Sequence, residues 1–316
     1  MRVLLAQPRG FCAGVRRAVD ALTCVVENHG PPIYVYHEIV HNTRVVEQFK
    51  NHGVRFVESL DDIPEGAVLM FSAHGVSPQI REEANARNLR VIDATCPLVE
   101  KVHQEVRRYV GLGYRIVYIG HPGHDEVIGI IGEAPEHISL VSNQSQVDEL
   151  GFSARSKIAC LMQTTLSVDE TLEMLEKLKR RFPQIEISKT GNICYATQNR
   201  QKTVQQLTAG LTAGSDVALV VGSGNSSNSR RLCELAQTRG IKAFLIDGPE
   251  NIEPNWFCGT ETVLITAGAS APEEIVQSCL EHLKSHFDVT VEERLICEEH
   301  VQFPLPENLE GKKRKE

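Results

Sequence analysis

The chain has 316 residues, 41% of them hydrophobic and 23% charged, with a formal net charge of −8 at pH 7. This is enough apolar material for two or three packed units, and it excludes a collagen-like, mucin-like or disordered chain. The acidic balance and an aromatic content of 5%, with Trp256 the single tryptophan, argue against nucleic acid as a partner.

No stretch reaches the ~18 apolar residues of a membrane span, so no membrane association is expected. The N-terminal apolar stretch is too short for a signal peptide and reads as a strand over Val3–Ala6, which makes the location cytoplasmic by expectation. The nine cysteines are an odd number without a CxxC pair, which suits free thiols with a metal or catalytic role better than a disulfide framework. The basic run Lys312-Lys313-Arg314-Lys315 is expected to be a solvated terminus.

In chain order, the first strand leads to Cys12 and to a helix beginning near Gly14. Asn42 is placed to cap a helix over Thr43–Asn51 that Gly53 closes. Val68–Phe71 runs into Ser72-Ala73-His74-Gly75, and Ser77-Pro78 then opens a helix. Arg90–Asp93 precedes Cys96 and Pro97, another first helical turn. Arg115–Ile119 gives way to Gly120-His121-Pro122-Gly123-His124, and Ile158–Met162 to Gln163-Thr164-Thr165. Ile185–Ser188 precedes Cys194 and a helix over Asn199–Leu207. Val217–Val221 ends at Gly222-Ser223-Gly224-Asn225-Ser226-Ser227-Asn228, and Val263–Ile265 at Thr266-Ala267-Gly268-Ala269-Ser270.

Uninterrupted apolar runs indicate strands covered on both faces, as in parallel sheets, and their alternation with helices predicts an α/β fold. Functional loops are then expected at the carboxyl ends of the strands. One cysteine at a strand-to-helix junction in each third of the chain suggests three pseudo-symmetric small α/β domains. Their expected spans are 1–95, 96–192 and 193–285, with a C-terminal extension over 286–316. The N-terminal strand of the first unit is free to pack with the third.

A thiol at a helix N-terminus has its thiolate stabilised by unpaired amides and the helix dipole. Cys12, Cys96 and Cys194 share that position, whereas Cys24, Cys160, Cys233, Cys258, Cys279 and Cys297 fall within or beside apolar patterns. Spacing alone leaves both an iron–sulfur site and zinc open. His41, His74 and His124 all lie at strand ends and suit either a metal or a phosphate. Glu126 can act as a proton donor if its surroundings are dry, and an exposed helix-start carboxylate is the plainer alternative. Hydroxyls and an amide at Thr164, Ser226, Ser227, Asn228 and Ser270 suit phosphate oxygens, although each loop taken singly is ordinary turn chemistry. There is no Walker A sequence, and Gly222-Ser223-Gly224 lacks the third glycine of a dinucleotide fingerprint.

Several longer motifs occur together and in order. They are Pro8-Arg9-Gly10-Phe11-Cys12-Ala13-Gly14-Val15, His37-Glu38-Ile39-Val40-His41-Asn42, Phe71-Ser72-Ala73-His74-Gly75-Val76-Ser77 and Asp93-Ala94-Thr95-Cys96-Pro97. Gln163-Thr164-Thr165-Leu166-Ser167, Ile193-Cys194-Tyr195-Ala196-Thr197, Asn225-Ser226-Ser227-Asn228-Ser229 and Thr266-Ala267-Gly268-Ala269-Ser270-Ala271-Pro272 complete the set. Over residues 1–285 the sequence resembles the LytB-type 4-hydroxy-3-methylbut-2-enyl diphosphate reductases, iron–sulfur enzymes that end the methylerythritol phosphate route to isoprenoids. The resemblance implies three α/β domains around one [4Fe–4S] cluster held by Cys12, Cys96 and Cys194, with the fourth iron open to the substrate hydroxyl. It implies contacts to the allylic diphosphate from His41, His74, His124, Ser226, Ser227, Asn228 and Ser270, and a proton relay through Thr164 and Glu126. Two electrons from a reduced ferredoxin or flavodoxin, with two protons, would expel the hydroxyl as water and yield isopentenyl and dimethylallyl diphosphates.

One motif departs from the family, which usually reads His-Pro-Glu-Val where this chain has His124-Asp125-Glu126-Val127. The added carboxylate is expected to raise the pKa of Glu126.

Overall fold

In the computed structural model, which describes residues 1–153, 156–188, 191–258 and 261–310, the apolar runs form three sheets whose pairings are all parallel among the described residues. The basic run at 312–315 lies outside the described residues. The elements begin with β1 (Arg2–Gln7), α1 (Ala13–His29), β2 (Ile33–Tyr36), α2 (Thr43–Asn51), β3 (Val54–Val57) and β4 (Val68–Phe71). They continue through α3 (Pro78–Ala86), β5 (Arg90–Asp93), α4 (Pro97–Gly111), β6 (Arg115–Ile119), α5 (Asp125–Glu133) and β7 (Ile138–Val141). Next come α6 (Gln144–Glu149), β8 (Ile158–Met162), α7 (Val168–Arg181), β9 (Glu186–Ile187), α8 (Tyr195–Thr208) and β10 (Val217–Val221). The last are α9 (Ser227–Gln237), β11 (Lys242–Ile246), β12 (Thr262–Ala267), α10 (Glu273–His286) and β13 (Thr290–Leu295).

The chain forms two compact units. One contains Met1–Val15, His41–Glu47 and Tyr195–Gln302 and carries the sheet β11-β10-β12-β1-β13. Side-chain alternation gives this sheet two apolar faces. Val3, Leu5, Val217, Leu219, Val263 and Ile265 pack with Val276, Cys279 and Leu283 of α10. Leu4, Ala6, Ala218, Val220 and Leu264 pack on the other face with Val204 of α8 and Leu232 of α9. Each fully buried Val, Leu or Ile contributes roughly 1.5–3 kcal/mol. At the edge, β13 carries Glu292, Glu293 and Arg294, charges that discourage further strand addition.

Arg16–Val40, Gln48–Cys194 and the described residues from Phe303 onward make the other unit, with two sheets, β3-β2-β4-β5 and β7-β6-β8-β9. Both sheets place their strands in the order second, first, third, fourth by chain position. The sheet of the first unit repeats that order as β11-β10-β12-β1, with β1 in the fourth place and β13 added outside it. In such an order the connections leaving the first and third strands diverge, which opens a crevice at their carboxyl ends.

Caps delimit the helices that carry these loops. Ser77 Oγ accepts from Ile80 N at 3.4 Å with Pro78 in the first turn, and Asn42 Oδ1 accepts from Val45 N at 3.1 Å.

Arg200 of α8 is fully buried in the first unit. Its guanidinium donates to Glu299 Oε1 at 3.0 Å, to Ala196 O at 2.9 Å and to Gly10 O at 2.7 Å. Its Nε has no hydrogen-bond partner, so the site is already short of acceptors. Removing one member of a buried ion pair strands the other charge, at a cost of about 3–5 kcal/mol. Glu299→Ala is therefore expected to lower the denaturant midpoint by that order, whereas Glu299→Gln, which keeps an acceptor, lowers it less.

Candidate active site

The carboxyl ends of the first and third strands carry the histidines, Glu126 and the hydroxyl and amide residues singled out by sequence, and those of the fourth strands lead to the three cysteines. In the two-sheet unit, β4 leads to His74, β6 to His124 and Glu126, and β8 to Thr164. His124 is the N-cap of α5, and its Nδ1 accepts from Glu126 N at 3.2 Å. A ring nitrogen that accepts carries no proton, so the neutral ring holds its proton on Nε2.

Glu126 begins α5 yet is only 1% exposed, which sets aside the exposed-carboxylate reading. Its Oε1 accepts from Thr164 N at 2.8 Å and from Tyr118 Oη at 3.4 Å, and its Oε2 accepts from Thr164 Oγ1 at 2.7 Å. Burial raises the Glu126 pKa, against the opposing pull of the Thr164 bonds, His103 and Tyr118. Because the backbone N–H at Oε1 always donates, a proton taken up by this carboxyl would sit on Oε2, and the Thr164 hydroxyl would then accept from it.

Burial is the main cause of the Glu126 shift. The Asp125 carboxylate is engaged elsewhere, with Oδ1 2.7 Å from His37 Nδ1 and Oδ2 3.7 Å from His74 Nδ1. His74 Nδ1 also lies 3.3 Å from Ser72 Oγ, and the His74 and His124 rings meet edge to face at 5.8 Å. The two-sheet unit thus gathers His74, His124, Glu126 and Thr164, and adds His37, Asp125 and Tyr118.

In the other unit, β10 leads to Ser226, Ser227 and Asn228, and β12 to Ser270. Ser226 caps α9 by accepting from Ser229 N at 3.3 Å. Asn228 Oδ1 accepts from Ala269 N at 2.9 Å and ties this loop to the one after β12, while its Nδ2 is buried with no hydrogen-bond partner. An amide donor left in that state is suited to an anion. Ser270 Oγ donates to His41 O at 2.8 Å, which ties the His41 loop to the same sheet end. A Cβ at Gly222 or Gly268 would fall 2.2 or 1.9 Å from Ser229 Oγ, so only glycine lets both loops reach the start of α9.

The three helix-start cysteines are anchored alike. Cys12 N donates to Ala269 O at 3.1 Å, Cys96 N to Ala73 O at 3.0 Å and Cys194 N to Thr164 O at 3.0 Å. Each acceptor lies in the loop leaving the third strand of the repeated order, beside Ser270, beside His74 and at Thr164 itself. Cys96 is the N-cap of α4, Cys12 and Cys194 immediately precede α1 and α8, and Val15 N donates to Cys12 Sγ at 3.5 Å. None of the three is in a disulfide, and all are half-buried. By contrast, burial pushes the thiols of Cys160 and Cys279 up to about 12 and that of Cys233 up to about 11, which keeps them protonated.

The chain is similar to known proteins over nearly its whole length. The LytB protein family model matches residues 3–284. A 4-hydroxy-3-methylbut-2-enyl diphosphate reductase of Rhodopirellula baltica is 53% identical over 309 residues, covering 98% of this chain and 96% of the relative. The enzyme of the same name from Actinobacillus pleuropneumoniae serotype 3 is 49% identical, covering 98% of each chain. The solved E-1-hydroxy-2-methyl-but-2-enyl-4-diphosphate reductase of Plasmodium falciparum superposes with a TM-score of 0.93 at 38% identity, covering 98% of this chain and 96% of that one. A family match over nearly the whole chain, with relatives about half identical to it, leaves one assignment: the chain belongs to the LytB family.

Proposed function

We propose that this chain reduces (E)-4-hydroxy-3-methylbut-2-enyl diphosphate to isopentenyl and dimethylallyl diphosphates, the terminal step of the methylerythritol phosphate route. The observation that carries the reading is Glu126, a buried carboxyl whose Oε2 accepts from Thr164 Oγ1 at 2.7 Å. Removing an allylic hydroxyl as water consumes two electrons and two protons. Burial raises the Glu126 pKa, which favours the proton-holding form that a general acid needs, and a threonine hydroxyl relays the proton without originating one.

A [4Fe–4S] cluster would be held by Cys12, Cys96 and Cys194. The donor chemistry fits such a group: each thiol stands at the start of a helix, where thiolates are stabilised, and the Cys12 sulfur already accepts a backbone N–H. When bound, the cluster would pass on the donor's two electrons one at a time and supply Lewis acidity at the departing hydroxyl. Reduced ferredoxin or flavodoxin is the electron donor in this reading.

The substrate diphosphate would be met by His41, His74, His124, Ser226, Ser227, Asn228 and Ser270. The unpartnered Nδ2 of Asn228 supports this, since an anion would satisfy it. A hydrogen bond to an ionised group is worth ~1.5–3 kcal/mol, so Asn228→Ala is expected to weaken substrate binding about 10- to 150-fold. The cluster absorption should not change, and loss of iron with normal binding would move this loop from the substrate to the cluster.

The test of the whole reading is anaerobic turnover of the allylic diphosphate with a strong reductant, the two product diphosphates being measured. Protein that carries zinc in place of iron and does not dehydroxylate the substrate would overturn it.

A further inference from the structure

The motif that departs from the family pattern places a carboxylate between two histidines. Asp125 stands on the first turn of α5, with Oδ1 at 2.7 Å from His37 Nδ1 and Oδ2 at 3.7 Å from His74 Nδ1. The three side chains are 14–18% exposed, so their charges are only partly screened.

His37 is fixed independently of Asp125. It follows β2 with φ of 58°, stacks on Tyr36 at 4.1 Å between ring centroids, and has Nε2 3.6 Å from Glu58 Oε2. The hydrogen bond from Asp125 raises the His37 pKa, burial opposes it, and the charges of Asp125 and Glu58 add to the rise. Among the described residues of this unit, the charged or titratable groups near the cluster include His124 against the His74 ring, Glu83 near Tyr36, and Glu126, whose carboxyl is turned to Thr164. With His37 beneath it, Asp125 cannot turn away from His74 without breaking a short charge-assisted bond.

We propose that Asp125 is a positioning residue for anion binding: pinned by His37 through Oδ1, it holds His74 as the imidazolium through Oδ2, in the charged form that suits the substrate diphosphate. The proposal rests on the diphosphate reading above and deepens it. A carboxylate this near a polyanion would repel it if uncompensated, and the two histidines are the compensation.

The test is binding of inorganic diphosphate, and of the allylic substrate, to cluster-loaded protein from pH 6 to 9, together with kcat and KM. An opposite charge within ~4–6 Å raises a histidine pKa by about one unit or more. Asp125→Asn keeps the size of the side chain and removes that charge, so the alkaline limb of binding should move down by about one pH unit. Affinity at pH 8 should then fall ~10-fold, with little change at pH 6 and kcat nearly unaffected. His37→Asn, which tolerates the left-handed backbone, should shift the limb in the same direction by less. A uniform loss of affinity at every pH would reduce Asp125 to a structural role and overturn the proposal. Tighter binding by Asp125→Asn at every pH would show that the carboxylate only repels the anion, and would overturn it equally. Wild-type protein that binds neither ligand would overturn the diphosphate reading itself.

Discussion

Anaerobically prepared protein carrying Cys12→Ser, Cys96→Ser or Cys194→Ser is expected to lose turnover entirely and to retain fewer than the ~4 irons per chain of the wild type. The argument is positional. These are the cysteines that meet a helix N-terminus, and each amide is fastened to the loop leaving the third strand of its sheet. A serine oxygen keeps the shape but not the soft, readily ionised donor that iron–sulfur clusters require. Cys258→Ser, at an exposed position, should leave iron content and rate as they are. Iron analysis and the visible absorption of freshly prepared protein separate the outcomes. Full activity in Cys194→Ser would remove that residue from the ligand set.

Glu126→Gln is expected to lower turnover ~10²- to 10⁴-fold, the range typical of general acid catalysis, while substrate still binds. The amide retains the acceptor for Thr164 N and a polar group opposite Thr164 Oγ1, so the pocket keeps its shape. What it lacks is the exchangeable proton. In the wild type, turnover should fall as pH rises through the Glu126 pKa, which burial places above the ordinary carboxylate range. The sign for stability is the same. A carboxyl whose folded pKa is raised contributes fully below its unfolded pKa, and that contribution is lost as pH rises through the folded value. The glutamine variant should therefore show a flatter dependence of stability on pH across that window, measured by denaturant unfolding. Wild-type-like turnover in the variant would shift the proton source to His124 or to water.

Much of this was legible in the sequence because it is local. The apolar runs at 68–71, 115–119, 158–162 and 217–221 are buried strands, and the caps at Asn42 and Ser77 act within four residues. The helix-start cysteines could be located for the same reason. The strand β13 was not apparent, because Thr290–Leu295 is charged and alternating rather than continuously apolar, as an edge strand can afford to be. The partners His37–Asp125, Tyr118–Glu126 and Arg200–Glu299 were also hidden. The first and last are separated by 88 and 99 positions, and strand order brings them together. Tyr118 lies within reach of Glu126 in sequence, but an aromatic inside an apolar strand reads as core. Asp125 was seen but its histidine partners were not, because adjacency in the chain said nothing about which way its carboxylate turned.

The placement of β1 in the fourth position of its sheet has a consequence for biogenesis. During synthesis, residues 2–7 are made long before their hydrogen-bonding neighbours on the two sides, residues 262–265 and 290–295. Until those segments exist, Val3, Leu4 and Leu5 have neither strand partners nor the cover of α10. The two sheets built from consecutive segments carry no such delay and can form while translation continues. Closing a loop of this length is slow, and an unpaired apolar strand is a target for aggregation in the interval. A strand made early is thus among the last to be secured, and the cysteine loop that follows it is completed only when the sheet closes. A nascent chain stalled before residue 262 would present this strand to chaperones rather than to its own sheet.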